Sequence, residues 1–238
     1  MKRHVWYTAL TVPAFGALYL LTFLAVITIL LFVLLKLDRI VQVLIMYWAE
    51  SVFWVLGKRL HVEGSDYLDK EKKFIVLANH ASLFDIMAIM AFFPGVSWFG
   101  REYLLKIPVF GFLLKKMHYI PMQKADYRNT LRMVEQLVQN GDRRSIAIFP
   151  EGTRTTDGTI NRFHKGFIYV LKTSKSDILP VTLNGFYQFK PKNRFYIDFS
   201  SPLQVIVHKP VTYEELSPQG DVEIIKRVKE VIESANNH

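Results

Sequence analysis

The hydrophobic pattern changes character near residue 60. Val5–Leu35 is an unbroken run of 31 uncharged residues between His4 and Lys36. As one helix it would reach roughly 46 Å, more than the ~30 Å hydrocarbon core of a bilayer, so it spans with tilt or bends at Pro13. A second apolar run, Ile40–Gly57, carries Gln42 and Glu50. Because a charge at the bilayer centre costs ~2.5–3.5 kcal/mol, Glu50 belongs near the headgroups or against the neighbouring helix. Tyr47, Trp48 and Trp54 suit interfacial depth. The pattern therefore predicts two helices joined at a Lys36–Arg39 turn, as a hairpin or as a span plus a surface helix. A cleaved secretory signal fits poorly, since its apolar region is about 7–15 residues followed by a small-residue cleavage site. A hairpin buried in a soluble core stays open as the alternative.

Beyond Gly64 short apolar runs alternate with helical periodicity. Phe74–Ala78 reads as a buried strand, followed by a helix over Leu83–Phe93 that Pro94-Gly95 ends. Val96–Phe99, Tyr119–Met122, Ser145–Phe149, Ile178–Leu183, Arg194–Phe199 and Leu203–Val207 read as further strands. Leu131, Val134, Leu137 and Val138 share one face of a helix over Asp126–Asn140, closed by Gly141. Another helix is expected over Phe163–Lys172. Val222, Ile225, Val228 and Ile232 define a last amphipathic one. This alternation predicts an α/β fold, a sheet flanked by helices, with chemistry at the strand ends. Residues 1–60 are thus expected as a two-helix membrane anchor and 61–238 as one α/β domain.

Composition narrows the chemistry. The 238 residues include no cysteine, which removes disulfide scaffolds, thiolate metal sites and cysteine nucleophiles. The net charge of +9 fits anionic lipid headgroups or nucleic acid. Basic residues are scattered rather than gathered on one helix, and the apolar N-terminus favours lipid, so no nucleic-acid partner is expected. Lys2-Arg3 and Lys58-Arg59 at the two ends of the apolar region would lie on one side, the cytoplasmic one, if the chain enters and returns. The expected location is the inner or cytoplasmic membrane, with the α/β domain facing the cytoplasm.

Among seven histidines, His61 and His80 have an aspartate five residues on, at Asp66 and Asp85. His61 lies in a short strand and turn without an apolar surround and reads as structural. His80 sits where a buried strand gives way to a helix, in Asn79-His80-Ala81-Ser82-Leu83-Phe84-Asp85, a place where a side chain is both rigid and exposed. Ser82 and Asp85 also resemble a capping box. From the first helical turn Asp85 can still reach back, fix the imidazole tautomer and leave the other nitrogen to take a proton from an alcohol. Ser82 as a nucleophile is disfavoured, because no Gly-x-Ser-x-Gly is present. Phe149-Pro150-Glu151-Gly152-Thr153-Arg154 directly follows a strand. Gly152 allows close approach to the main chain, Arg154 offers a fork to phosphate, and Glu151 can accept from a hydroxyl or hold the arginine. A surface turn with a Glu–Arg pair is the plain alternative.

These blocks resemble the 1-acylglycerol-3-phosphate acyltransferase (PlsC-like) family. Its Asn-His-x-Ser-x-x-Asp motif is matched by Asn79, His80, Ser82 and Asp85, and its Phe-Pro-Glu-Gly-Thr-Arg block by Phe149–Arg154. Arg101 with Ile107-Pro108-Val109-Phe110-Gly111, Pro121-Met122-Gln123-Lys124 and Leu179-Pro180-Val181 follow the family's other blocks, so the likeness covers about residues 60–185. Arg101 and Lys124 exchange the usual basic types, Tyr103 replaces a common Glu, and His118 stands where Gly is frequent. The exchanges bear on acceptor preference, since guanidinium and ammonium differ in geometry. The resemblance implies the glycerolipid acyltransferase fold and acyl transfer to the 2-hydroxyl of lysophosphatidic acid, giving phosphatidic acid. The acyl donor would be acyl-CoA or acyl-carrier protein, with no cofactor or metal. It also implies His80 as general base and Asp85 as its orienting partner, supported by Asn79 and Ser82. Arg154, with Glu151, Gly152, Thr153, Arg101 and Lys124, would hold the glycerol phosphate. Another lysophospholipid or amino-lipid acceptor, or a non-catalytic lipid binder, is the alternative.

Overall fold

The computed structural model describes residues 2–69, 72–93, 95–106, 110–116, 119–122, 135 and 144–237. Helix α1 runs from Lys2 to Leu34 without a break at Pro13, and α2 from Asp38 to Val55. The connecting turn is therefore Leu35–Leu37, earlier than the expected Lys36–Arg39, with Lys36 at φ 56. The two helices pack on each other, and Trp48 donates from its indole N–H to Thr22 Oγ1. Trp48 is thus a helix-to-helix contact, while Tyr47 and Trp54 are exposed. Glu50 is exposed as well. The stretch Trp6–Leu34 is the one helix among the described residues long and apolar enough to cross a membrane.

Seven strands form one sheet: β1 Leu60–Glu63, β2 Phe74–Ala78, β3 Ser97–Arg101, β4 Ile120–Met122, β5 Ile146–Ile148, β6 Asp177–Asn184 and β7 Leu203–Val207. Their order is β1-β7-β6-β2-β5-β3-β4, and every pair is parallel except β6–β7. Helix α3, Phe84–Phe92, follows β2, and α4, Phe110–Lys116, precedes β4. Helix α5 spans Gly166–Ser174 and α6 spans Asp221–Glu233. The expected α/β sheet flanked by helices is the observed architecture. The helix expected over Asp126–Asn140 falls outside the described residues apart from Glu135, which is helical.

Strand alternation sorts the core onto two faces. Phe74, Val76 and Ala78 of β2 turn towards a cluster with Val52, Phe53, Phe84, Phe186 and Phe189. Ile75 and Leu77 turn towards Phe167, Ile168 and Leu171 of α5 and Ile224, Val228 and Ile232 of α6. Phe53 of α2 meets Phe84 and Phe186 edge-on or tilted at 6.3 Å, so α2 shares the first of these cores with the sheet.

Arg194–Phe199 is not a strand. Its donors and rings are committed elsewhere. The Ile197 N–H goes to the Thr11 hydroxyl of α1 at 2.9 Å, and the Asp198 N–H returns to the Phe189 carbonyl. Phe195 packs on Phe15, and Tyr196 and Phe199 pack on Tyr7. The alternating pattern that mimics a strand is here the contact surface for α1. Helix α5 also begins later than expected, at Gly166, because the His164 N–H closes a turn on the Pro150 carbonyl.

Candidate active site

The carboxyl ends of β2 and β5, neighbours in the sheet, deliver the two sequence blocks side by side. His80 follows β2 by two residues, and its Nδ1 lies 2.8 Å from Asp85 Oδ2. The same oxygen accepts from the main-chain N–H groups of Ala81 at 2.6 Å and Ser82 at 2.8 Å. The Asp85 side chain is wholly buried, whereas His80 keeps 15% of its side chain exposed. A carboxylate holding two N–H donors can only accept from the ring as well, so Nδ1 carries the proton and Nε2 presents its lone pair. Asp85 Oδ1 is buried with no hydrogen-bond partner among the described residues.

The turn at Phe149–Gly152 closes through the Gly152 N–H to the Phe149 carbonyl at 3.0 Å. Gly152 has φ +67, and a Cβ there would come within 3.3 Å of the His164 ring, which explains glycine at this position. Glu151 is 1% exposed. One carboxylate oxygen accepts from the His80 N–H at 2.7 Å and the other from the Asn161 N–H at 2.8 Å. Burial pushes the Glu151 carboxyl up from its ordinary value, and those N–H bonds oppose the rise. The Thr155 N–H also reaches the His80 carbonyl at 2.8 Å. The turn is thus strapped to His80 on both sides of its Cα, and Glu151 does not hold Arg154.

Arg154 is half-buried and pairs with no carboxylate among the described residues. Nearby, burial and then the positive charges of Arg154 and Arg194 pull the Lys190 ammonium below its usual value. The surroundings of Arg154 are therefore cationic and suited to an anion. Gly152 and Thr153 are exposed beside it.

Residues 59–184 match the family model described as Acyltransferase. The chain belongs to the acyltransferase family. The crystal structure of the 1-acyl-sn-glycerophosphate (LPA) acyltransferase PlsC from Thermotoga maritima is similar to it with a TM-score of 0.81, covering 95% of this chain and 94% of that one at 26% identity. A 1-acyl-sn-glycerol-3-phosphate acyltransferase of Borreliella burgdorferi is 32% identical over 65% of this chain and 62% of its own length. The chloroplastic LPAT1 of Arabidopsis thaliana is 28% identical over 69% of this chain and 46% of its own length. The match thus spans about half the length of some curated relatives.

Other residues of the acyltransferase motifs are structural supports. The Asn79 amide both donates to the Leu183 carbonyl at 3.0 Å and accepts from the Leu183 N–H at 2.7 Å. It extends the β2–β6 ladder by one rung, up to the residue before His80. Ser82 is fully buried, donates to the Lys190 carbonyl at 2.7 Å and accepts from the Phe84 N–H. Its hydroxyl ties two loops together and is not poised as a nucleophile. Asp85 completes the reciprocal half of the expected capping box through the Ser82 N–H.

Arg101 ends β3, in register with Met122 of β4. Lys124 lies outside the described residues. Gly111 abuts the Leu105 carbonyl so closely that no Cβ fits, a packing reason for glycine in the acyltransferase middle block. His61 lies on the edge strand β1 and pairs with Glu63 at 3.2 Å, largely exposed. One partner escaped the sequence reading: the Phe149 ring is stacked on the His80 imidazole, with centroids 3.9 Å apart and planes at 11°.

Proposed function

We propose that this acyltransferase moves a fatty acyl group from acyl-CoA or acyl-carrier protein to the 2-hydroxyl of lysophosphatidic acid, giving phosphatidic acid. The observation that carries this reading is the 2.8 Å bond between His80 Nδ1 and Asp85, which leaves Nε2 as the base. The names of the relatives support the choice of acceptor. Nε2 takes the proton of the lipid hydroxyl while its oxygen attacks the thioester carbonyl. The tetrahedral intermediate then expels the thiolate, which recovers that proton from the imidazolium. Alignment supplies much of the acceleration, and no acyl-enzyme or cofactor is used.

Arg154 grips the acceptor phosphate beside the open main chain of Gly152 and Thr153, with Arg101 and Lys124 as further cations. Glu151 serves by holding the turn against His80. Residues 1–60 act as the membrane anchor of a catalytic domain over 61–238. This brings the site to the cytoplasmic interface, where both lipids reside. The test is thiol release from acyl-CoA by detergent-purified protein. Release should require lysophosphatidic acid and vanish in folded His80→Ala. Acceptor-independent release would mean a hydrolase, and mass-resolved products from an acceptor panel would expose a different lipid substrate.

A further inference from the structure

We infer that Phe149 is a positioning residue for His80: its ring is the platform that sets the plane of the imidazole, with Trp98 as the backing of that platform. The inference rests on the general-base reading above. The Asp85 bond at Nδ1 holds one edge of the ring, and a single hydrogen bond leaves the imidazole free to pivot about that edge. A face contact removes the pivot. The Phe149 and His80 rings are nearly parallel at 11°, with centroids 3.9 Å apart. Trp98 is stacked with Phe149 at 5.5 Å and 28°.

Sheet order explains how three distant residues meet. Strands β2, β5 and β3 are consecutive in the sheet. Leu77 is in register with Ile148, and Trp98 with Ala147. The end of β5 therefore carries Phe149 between the His80 loop and β3. Trp98 is 6% exposed, and its indole N–H is buried without a partner among the described residues, so this position is occupied by ring surface rather than by a polar function. Offset aromatic faces also favour positive charge through their quadrupole. Nε2 acquires such charge when the proton leaves the lipid hydroxyl, so the platform both aims the base and stabilises its protonated form.

The experiment compares full-length wild type, Phe149→Leu, Phe149→Tyr and His80→Ala in the acceptor-dependent thiol assay, with a thermal melt on each. Phe149→Leu should lower kcat by about 10²-fold, because misaiming a reacting group has effects of that order, while both KM values stay within about twofold. Phe149→Tyr keeps the ring and should recover kcat to within about threefold of wild type. If the leucine variant melts early, Phe149→Met fills the volume without a ring and takes its place. Unchanged kcat in the ringless variant would overturn the platform. So would a raised acceptor KM at constant kcat, which would make Phe149 a substrate contact, or equal losses in the leucine and tyrosine variants. Activity retained in His80→Ala would overturn the general-base reading instead, and so separates the two failures.

Discussion

The Asp85 carboxylate and the His80 imidazole meet at 2.8 Å through Nδ1, and the oxygen that accepts this proton also accepts two main-chain N–H bonds from Ala81 and Ser82. Those extra bonds keep the carboxylate in place independently of the histidine. They also keep it an acceptor, which is what holds the tautomer.

Asp85→Asn tests that relationship. The amide oxygen can still accept from the main-chain donors and from Nδ1–H, but it carries no charge and so no longer stabilises the imidazolium formed when the ring takes a proton. Activity should fall by about 10³–10⁴-fold, the scale seen where an orienting carboxylate is lost from a histidine base. The thermal midpoint should move little. A variant retaining most of its kcat would separate Asp85 from the chemistry.

Glu151→Gln is isosteric yet should destabilise the fold. Both carboxylate oxygens accept from main-chain N–H groups, of His80 and Asn161, and an amide can accept at only one end while pressing its NH2 against the other donor. A loss of about 1–3 kcal/mol is expected from denaturant unfolding. An unchanged midpoint would mean that these two main-chain bonds do not hold the turn against His80.

Arg154→Ala should raise the acceptor KM by about tenfold or more, as removal of a charge-assisted phosphate contact does, with a smaller change in the donor KM. Steady-state kinetics with each substrate varied in turn measures this. The reverse pattern would assign the guanidinium to the donor's phosphates.

Thr11→Val keeps the side-chain shape but leaves the buried Ile197 N–H without its 2.9 Å acceptor. The expected cost is about 1–3 kcal/mol, read as a lower unfolding midpoint in detergent. No change would mean that α1 is not docked on the 195–199 loop.

His208 predicts an acid-sensitive fold. Its Nε2 lies 2.8 Å from the Thr182 hydroxyl, which itself donates to the Ile232 carbonyl, so the ring nitrogen is the donor of that pair. Burial lowers the His208 pKa from its ordinary value. Between that lowered value and about 6.5 the unfolded chain binds more protons than the folded one, so stability rises with pH. The contribution is complete above about pH 6.5 and is lost as the pH falls through the folded value. His208→Gln, whose amide can still donate to Thr182, should flatten the slope of the melting temperature over that window. An identical slope in both proteins would remove His208 as its source.

What could be read along the chain was local. A buried run ending in His80 and a helix opening with Asp85 follow from burial periodicity and capping chemistry within seven residues, and that is why His80 and Asp85 were legible as a pair. The long uncharged run of α1, the alternation of strands with helices and the tight turn through Gly152 belong to the same class. Each depends on neighbours a few positions away.

The rest depended on which strands lie side by side. Only the β2-β5-β3 order sets Phe149 on the face of His80 and turns Glu151 into a clamp on the His80 N–H. Only the antiparallel return of β7 and the course of α1 draw Ile197 to Thr11, and so convert an apparently strand-like Arg194–Phe199 into a docking loop. Hydrogen-bond donors and ring faces state what they need without naming who supplies it. The supplier comes from distant segments that burial brings together, and that choice is made by the packed sheet as a whole.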